Sequence, residues 1–130
     1  MTDKYNQYLG KFGESEAEHY LKKKRYKILE KNYRGRLGEI DIIAEKKKEI
    51  IFVEVKTRKS DKFGKPYEAV DFKKQRKIIL CAKEYLAKNA LYERNIRFDV
   101  IEVYGSFDGS FFDLDKINHI EGAIENVNQF

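Results

Sequence analysis

Hydrophobic positions along the chain change period several times, and each change marks an element. From about residue 3 to 24, Leu9, Phe12, Ala17, Tyr20 and Leu21 recur near every 3.6 residues, which predicts an amphipathic helix. Tyr26 to Asn32 alternates, with Tyr26, Ile28 and Glu30 set against Lys27, Leu29 and Lys31, and reads as a strand. Gly38 to Glu45 and Glu49 to Thr57 are denser in Ile, Val and Phe and read as stronger strands. Lys46-Lys47-Lys48 joins them in a tight hairpin. Ser60 to Lys65 and the only proline, Pro66, form a polar loop, the expected flexible segment. A second helix is expected from about Tyr67 to Lys88, with Val70, Ile78, Ala82, Tyr85 and Leu86 inward. Arg97 to Tyr104 is a further strand and Phe111 to Leu114 a short edge strand. Ile117, Ile120, Ile124 and Val127 fall at helical spacing and predict a terminal helix.

The order is α-β-β-β-α-β with a short appendix. The hairpin is antiparallel, and the strand–helix–strand segment from Glu49 to Tyr104 must cross over right-handedly and pair in parallel. The expected fold is therefore α/β, one domain over residues 1–130, with a mixed sheet and helices on both faces.

Composition adds class and compartment. The chain has 130 residues, 42% hydrophobic and 38% charged, enough to bury one core without covalent staples. The single cysteine, Cys81, excludes an internal disulfide and fits a reducing compartment. No apolar run resembles a signal peptide or reaches membrane-spanning length, so the expected location is the cytoplasm. The net charge is +5, a modest excess. Basic residues cluster at Lys22 to Arg25, at Arg34 and Arg36, at Lys46 to Lys48, at Arg58-Lys59 and at Lys73 to Lys77. The Lys46 to Lys48 cluster reads as a solvated turn.

The two central strands carry charge in an apolar setting. Side chains alternate along a strand, so Glu39 shares a face with Asp41, and Glu54 with Lys56. With Lys47 and Lys48 as the turn, residues whose numbers sum to 95 lie opposite one another. Asp41 then faces Glu54 and Glu39 faces Lys56, with Cβ atoms roughly 4.5–5.5 Å apart. Two opposed carboxylates repel unless a cation lies between them, and oxygen ligands from paired acids suit Mg²⁺ or Mn²⁺. Such an ion polarises a phosphoryl oxygen and lowers the pKa of a bound water. Lys56, two residues past Glu54, is placed to hold the attacking water or to stabilise developing charge. The alternative is a sheet face with a Glu39–Lys56 ion pair and two solvated acids. Glu14 lies at the border of the first helix's apolar stripe, as a site residue or as an exposed helix glutamate.

Gly13-Glu14, Asn32-Tyr33-Arg34, Gly38-Glu39-Ile40-Asp41-Ile42-Ile43-Ala44, Phe52-Val53-Glu54-Val55-Lys56-Thr57-Arg58, Phe63-Gly64 and Arg97-Phe98-Asp99-Val100 together resemble the YraN family of small bacterial proteins. The resemblance runs from about Lys11 to Tyr104. It implies the restriction-endonuclease-like fold of the PD-(D/E)xK superfamily, with a pattern similar to archaeal Holliday-junction resolvases. It assigns Glu14, Asp41, Glu54 and Lys56 to catalysis, the three acids as metal ligands. Ile40 stands where the superfamily's name has proline. Glu39 receives no role. Lys74 and Gln75, at the start of the second helix, occupy positions that approach the site in related nucleases.

Arg34, Arg36 and Arg58 flank the carboxylate strands and suit phosphate contacts. Tyr33 reads as a half-buried core residue or a base-stacking ring. His19 and His119 lack metal-ligand spacing, and Cys81 reads as core. The reading is a Mg²⁺- or Mn²⁺-dependent endonuclease acting on DNA, at branched or damaged structures. Nucleic-acid contacts are assigned to Arg34, Arg58, Lys74 and Gln75. Cleavage of both strands of a junction would suit a homodimer. The rivals are a nucleic-acid-binding repair accessory that cleaves little, and a protein-interaction domain on the same fold.

Overall fold

The computed structural model describes residues 2–59, 71–91 and 93–124, with side chains from residue 7 onward. The chain runs α1 (Thr2–Lys23), β1 (Lys27–Arg34), β2 (Glu39–Lys46), β3 (Glu49–Lys59), α2 (Phe72–Lys88), β4 (Ile96–Asp108) and β5 (Phe111–Ile120). The five strands form one sheet in sequence order, antiparallel except for the parallel β3–β4 pair that α2 bridges. This is a mixed α/β sheet with one helix on each face, consistent with a restriction-endonuclease-like fold. No helix among the described residues is long and apolar enough to cross a membrane.

Two apolar clusters follow from strand alternation. Ala17 and Leu21 of α1 pack with Tyr26, Ile42, Ala44, Ile51, Val53, Ile101 and Val103 on one face. On the other, Ile78, Cys81, Ala82, Tyr85 and Leu86 of α2 pack with Ile50, Phe52, Phe98 and Val100. Each large aliphatic side chain buried here stabilises the fold by about 1.5–3 kcal/mol. Cys81 is core, as expected. Phe12, expected inward, is 40% exposed and stacks on Phe112 with Phe107 edge-on. Gly13 takes the inward place instead, because a Cβ there would lie 1.9 Å from Thr57 Oγ1. A glycine at this point brings α1 down onto β3.

The expected terminal helix is wrong at its start, because Ile117 and Ile120 lie within β5. A spacing of three fits either a helix or a strand buried from both sides. Ile117 faces the α1 cluster and Ile120 the α2 cluster, which is the strand solution. Val127 lies outside the described residues. So do the Ser60–Pro66 loop, Val70 and the expected start of the second helix at Tyr67. Asp71 caps α2, its carboxylate accepting from Lys74 N at 3.0 Å.

Candidate functional site

The site forms where the hairpin strands part company. The β2–β3 ladder runs Lys46↔Glu49, Glu45↔Ile50, Ala44↔Ile51, Ile43↔Phe52 and Ile42↔Val53, the register expected from a two-residue turn. It ends there, one step short of Asp41 and Glu54. Asp41 instead turns its carboxylate to the backbone, and Oδ2 accepts from Val55 N at 2.7 Å. The expected Glu39–Lys56 pairing falls beyond the ladder. Glu39 lies across from Arg34 on β1, with Arg34 Nη2 at 3.4 Å from Oε2.

A local break in alternation accompanies this. Lys31 pairs with Ile42 and Tyr33 with Ile40, so Asn32 lies between them across from Asp41. Asn32 holds a left-handed backbone, φ 52, which asparagine tolerates better than most residues. Ile40 packs with the α2 cluster and Ile42 with the α1 cluster, although they are two residues apart. Regular alternation would put them on one face. Asp41 thus sits at a point where the strand changes face.

Electrostatics ties the acids together. Burial, then the charge of Glu54, push the Asp41 carboxyl up to about 7, with Glu14 adding to the rise. Burial also raises Glu14, and nearby Glu39 and Glu54 add to it, while a side-chain hydrogen bond from Asn32 opposes it. Glu14 reaches the cluster from α1. Lys74 reaches it from α2, with Nζ 2.7 Å from Glu54 Oε1. Burial pulls the Lys74 ammonium down, but the bond to Glu54 and the field of Asp41 outweigh it and hold Lys74 above its usual value. Lys56 is held below its ordinary value by burial first and then by Arg58 and Lys74, against Glu54 and Glu102.

The structure therefore brings together Glu14, Asp41, Glu54, Lys56 and Lys74. Among the described residues, no three His, Cys, Asp or Glu side chains converge closely enough to hold a metal ion. Glu54 is the largest charge acting on Asp41, and Glu14 adds to it. Arg34 is exposed at the rim. Arg58 turns toward Glu102, at 4.0 Å from Oε2. Gln75 lies half-buried in the first turn of α2, its backbone N bonded to Asp71 O at 2.9 Å. Tyr33 is a core residue packed edge-on against Tyr85 at 5.1 Å.

Two buried acids received no role from the sequence, Asp99 although its segment is part of the resemblance. Glu102 is buried beside Lys56 in the parallel register, and Asn118 Nδ2 donates to its Oε1 at 2.9 Å. Its signal was the one that marked Glu54, a lone acid in an apolar strand. Asp99, also buried, accepts both arms of Arg97 at 2.8 Å, His119 Nε2 at 2.7 Å and Gly122 N at 3.1 Å. It fastens β4 to β5 through His119. His119 is structural, with Nδ1 3.1 Å from Tyr20 Oη.

Comparison with known proteins places this geometry in a lineage. A UPF0102 protein of Clostridioides difficile strain 630 is 60% identical over 119 residues, covering 91% of this chain and 97% of that one. One from Alkaliphilus oremlandii is 52% identical over 120 residues, covering 91% and 98%. One from Caldanaerobacter subterraneus subsp. tengcongensis is 51% identical over 115 residues, covering 88% and 93%. The family model described as uncharacterised protein family UPF0102 matches residues 13–103, which hold Glu14, Asp41, Glu54, Lys56 and the β3–α2–β4 crossover. The chain belongs to the UPF0102 family.

Proposed function

We propose that this protein is a metal-dependent nuclease of the PD-(D/E)xK superfamily that hydrolyses DNA phosphodiesters, at branched or damaged structures. One observation carries the reading. Two carboxylates, Asp41 and Glu54, lie one step past the end of a ladder, where burial and the charge of Glu54 raise the Asp41 carboxyl, with a lysine two residues past the second. A fold gains nothing from that repulsion, and strained charge clusters of this kind concentrate at functional sites.

The donor set fits a hard divalent cation. Its members are carboxylate oxygens only, and the raised Asp41 marks a place where positive charge is wanted. Asp41 and Glu54 would hold Mg²⁺ or Mn²⁺, with Glu14 lending its charge from α1. When bound, such an ion polarises a phosphoryl oxygen and acidifies water. The chain's own groups do the rest. Lys56, whose ammonium gives up its proton more readily because of burial, would orient the attacking water and, as the neutral amine, would accept its proton. Lys74 releases Glu54 and turns to the phosphate. Arg34, Arg58 and Gln75 hold neighbouring phosphates. A pair of chains would serve the two strands of a junction.

A second reading is a nucleic-acid-binding accessory that cleaves little. The Lys74–Glu54 ion pair favours it, since a built-in cation already answers one of the acids. The test is Mn²⁺ titration by calorimetry, followed by cleavage of branched and linear duplexes. The nuclease reading requires metal-dependent cleavage that falls at least about 100-fold in Glu54→Gln and in Lys56→Met. Metal and DNA binding without cleavage selects the accessory. Binding of neither leaves a protein-interaction domain.

A further inference from the structure

A second charged feature lies at the turn end of the hairpin. A cavity of about 460 Å³ opens there, lined by Tyr20, Lys24, Tyr26, Lys46, Lys47 and Arg97 among others. The Lys24 ammonium lies over the Tyr20 ring, 5.5 Å from its centroid, and Lys46 over Tyr26 at 4.6 Å. Two arginines serve four acids at this end, Asp99 of the Arg97 fork among them. Arg97 Nη1 lies 3.4 Å from Glu49 and 3.0 Å from Glu121, and Arg94 engages Glu45. Lys24, Lys46 and Lys47 bring further positive charge to the same cavity.

The backbone makes the same point independently. Arg25, Lys47 and Lys48 hold left-handed backbone, with φ 68, 50 and 68. Arg25 closes α1, with its N bonded to Lys22 O and Tyr26 N bonded to Leu21 O, a position where glycine is usual. Lys47 and Lys48 are the two turn residues, where Asn-Gly is the favoured pair. Residues with a Cβ are disfavoured in this conformation. The chain therefore keeps basic side chains at three positions where its backbone would prefer glycine or asparagine. All three adjoin the cavity-lining Lys24 and Lys46. The sequence alone made Lys46 to Lys48 a solvated turn, and the fold sets it beside the end of α1.

We propose that Lys24, Arg25, Lys46, Lys47 and Lys48 form a second contact for the phosphate backbone of the nucleic acid that enters the carboxylate site. The proposal rests on the nuclease or nucleic-acid-binding reading of that site. The spacing suits a duplex. Five residues of β2 separate Asp41 from Lys46, about 17 Å at 3.4 Å per residue, which is about five base-pair steps. Because α1 and α2 cover the faces of the hairpin, a duplex meeting both ends would run along the edge strand β1 beside it.

The test uses a duplex of about 20 base pairs with wild type and the double variant Lys47→Gly/Lys48→Gly, over a salt series. Glycine suits both turn positions, so the melting temperature should not fall. The slope of log affinity against log salt should drop by about 2, and affinity at 0.15 M salt roughly thirtyfold. A wild-type slope in the variant overturns the contact while leaving the carboxylate site's reading intact, because metal-dependent cleavage would persist. Loss of affinity with a matching loss of melting temperature would make the lysines structural and also overturn it. Competition by polyglutamate at the same charge concentration as DNA would overturn the nucleic-acid occupant. A wild type that binds no duplex even at low salt would overturn this contact together with the reading of the site.

Discussion

Lys74 Nζ, in the first turn of α2, sits 2.7 Å from Glu54 Oε1 on β3. A side-chain cation thus holds one of the two acids proposed for the metal, so lysine and metal compete for it. Lys74→Ala should bind Mn²⁺ more tightly than wild type in the absence of DNA, read by calorimetry. The metal-free variant should lose no more than about 1 kcal/mol, since the pair is half open to solvent. Weaker metal binding in Lys74→Ala would mean that the lysine organises the acids instead of competing for them.

Asp41 and Glu54 should respond differently to neutralisation. The Asp41 carboxyl, raised to about 7, binds its proton more tightly in the folded chain than in the unfolded one. Its contribution to stability is therefore lost as pH rises from about 4 toward 7. Asp41→Asn keeps an oxygen for Val55 N and removes the charge. In EDTA above pH 7 it should stabilise by the order of 2 kcal/mol, an advantage that shrinks to nothing near pH 4. Glu54→Gln gives up the Lys74 ion pair and should gain less. Thermal unfolding of both variants across pH checks this. An Asn variant that is less stable at high pH would make Asp41 a structural partner.

Gly13→Ala should destabilise by about 1–3 kcal/mol through overpacking, because the new Cβ would meet the Thr57 side chain. Glu14 moves with α1, so catalysis should fall further than stability alone explains. Thr57→Ala in the same chain should recover part of the loss. It removes Oγ1, the 1.9 Å contact, but leaves Cβ at 2.8 Å. Denaturant unfolding and cleavage rates of the single and double variants measure the coupling.

Asp99 is the opposite case from Asp41. Burial works against its charge, but the bonds from His119, Arg97 and Gly122 N outweigh it and hold the carboxyl below its ordinary value. Its stabilisation is complete at neutral pH and is lost only as pH falls below about 3.8 toward the lower folded value. Asp99→Ala should cost about 3–5 kcal/mol, because Arg97 and His119 lose their shared partner. Equilibrium unfolding at neutral pH measures it. A cost under 1 kcal/mol would show that β5 is held by its ladder alone.

Local pattern determined much of this molecule. The periods of α1 and α2, the density of Ile and Val in β2 and β3, and the short lysine turn were enough for element order, parallel crossover and hairpin register. That register placed Asp41 near Glu54 before any fold was known, because a two-residue turn leaves one alignment. Tertiary structure decided what depends on packing across distance. Ile117 and Ile120 became strand residues because two helices lay ready to bury them from opposite faces. The ladder stopped at Ile42, at the point where Asn32 turned left-handed beside Asp41 and the strand changed face. Glu39 went to Arg34, and Lys74 crossed from α2 to Glu54, contacts that no spacing along the chain encodes. Lys24 met Lys46 and Lys47 only because the end of α1 and the hairpin turn fold to the same corner. Charges far apart in sequence acquire meaning when the fold sets them side by side, since their interaction depends on distance through space.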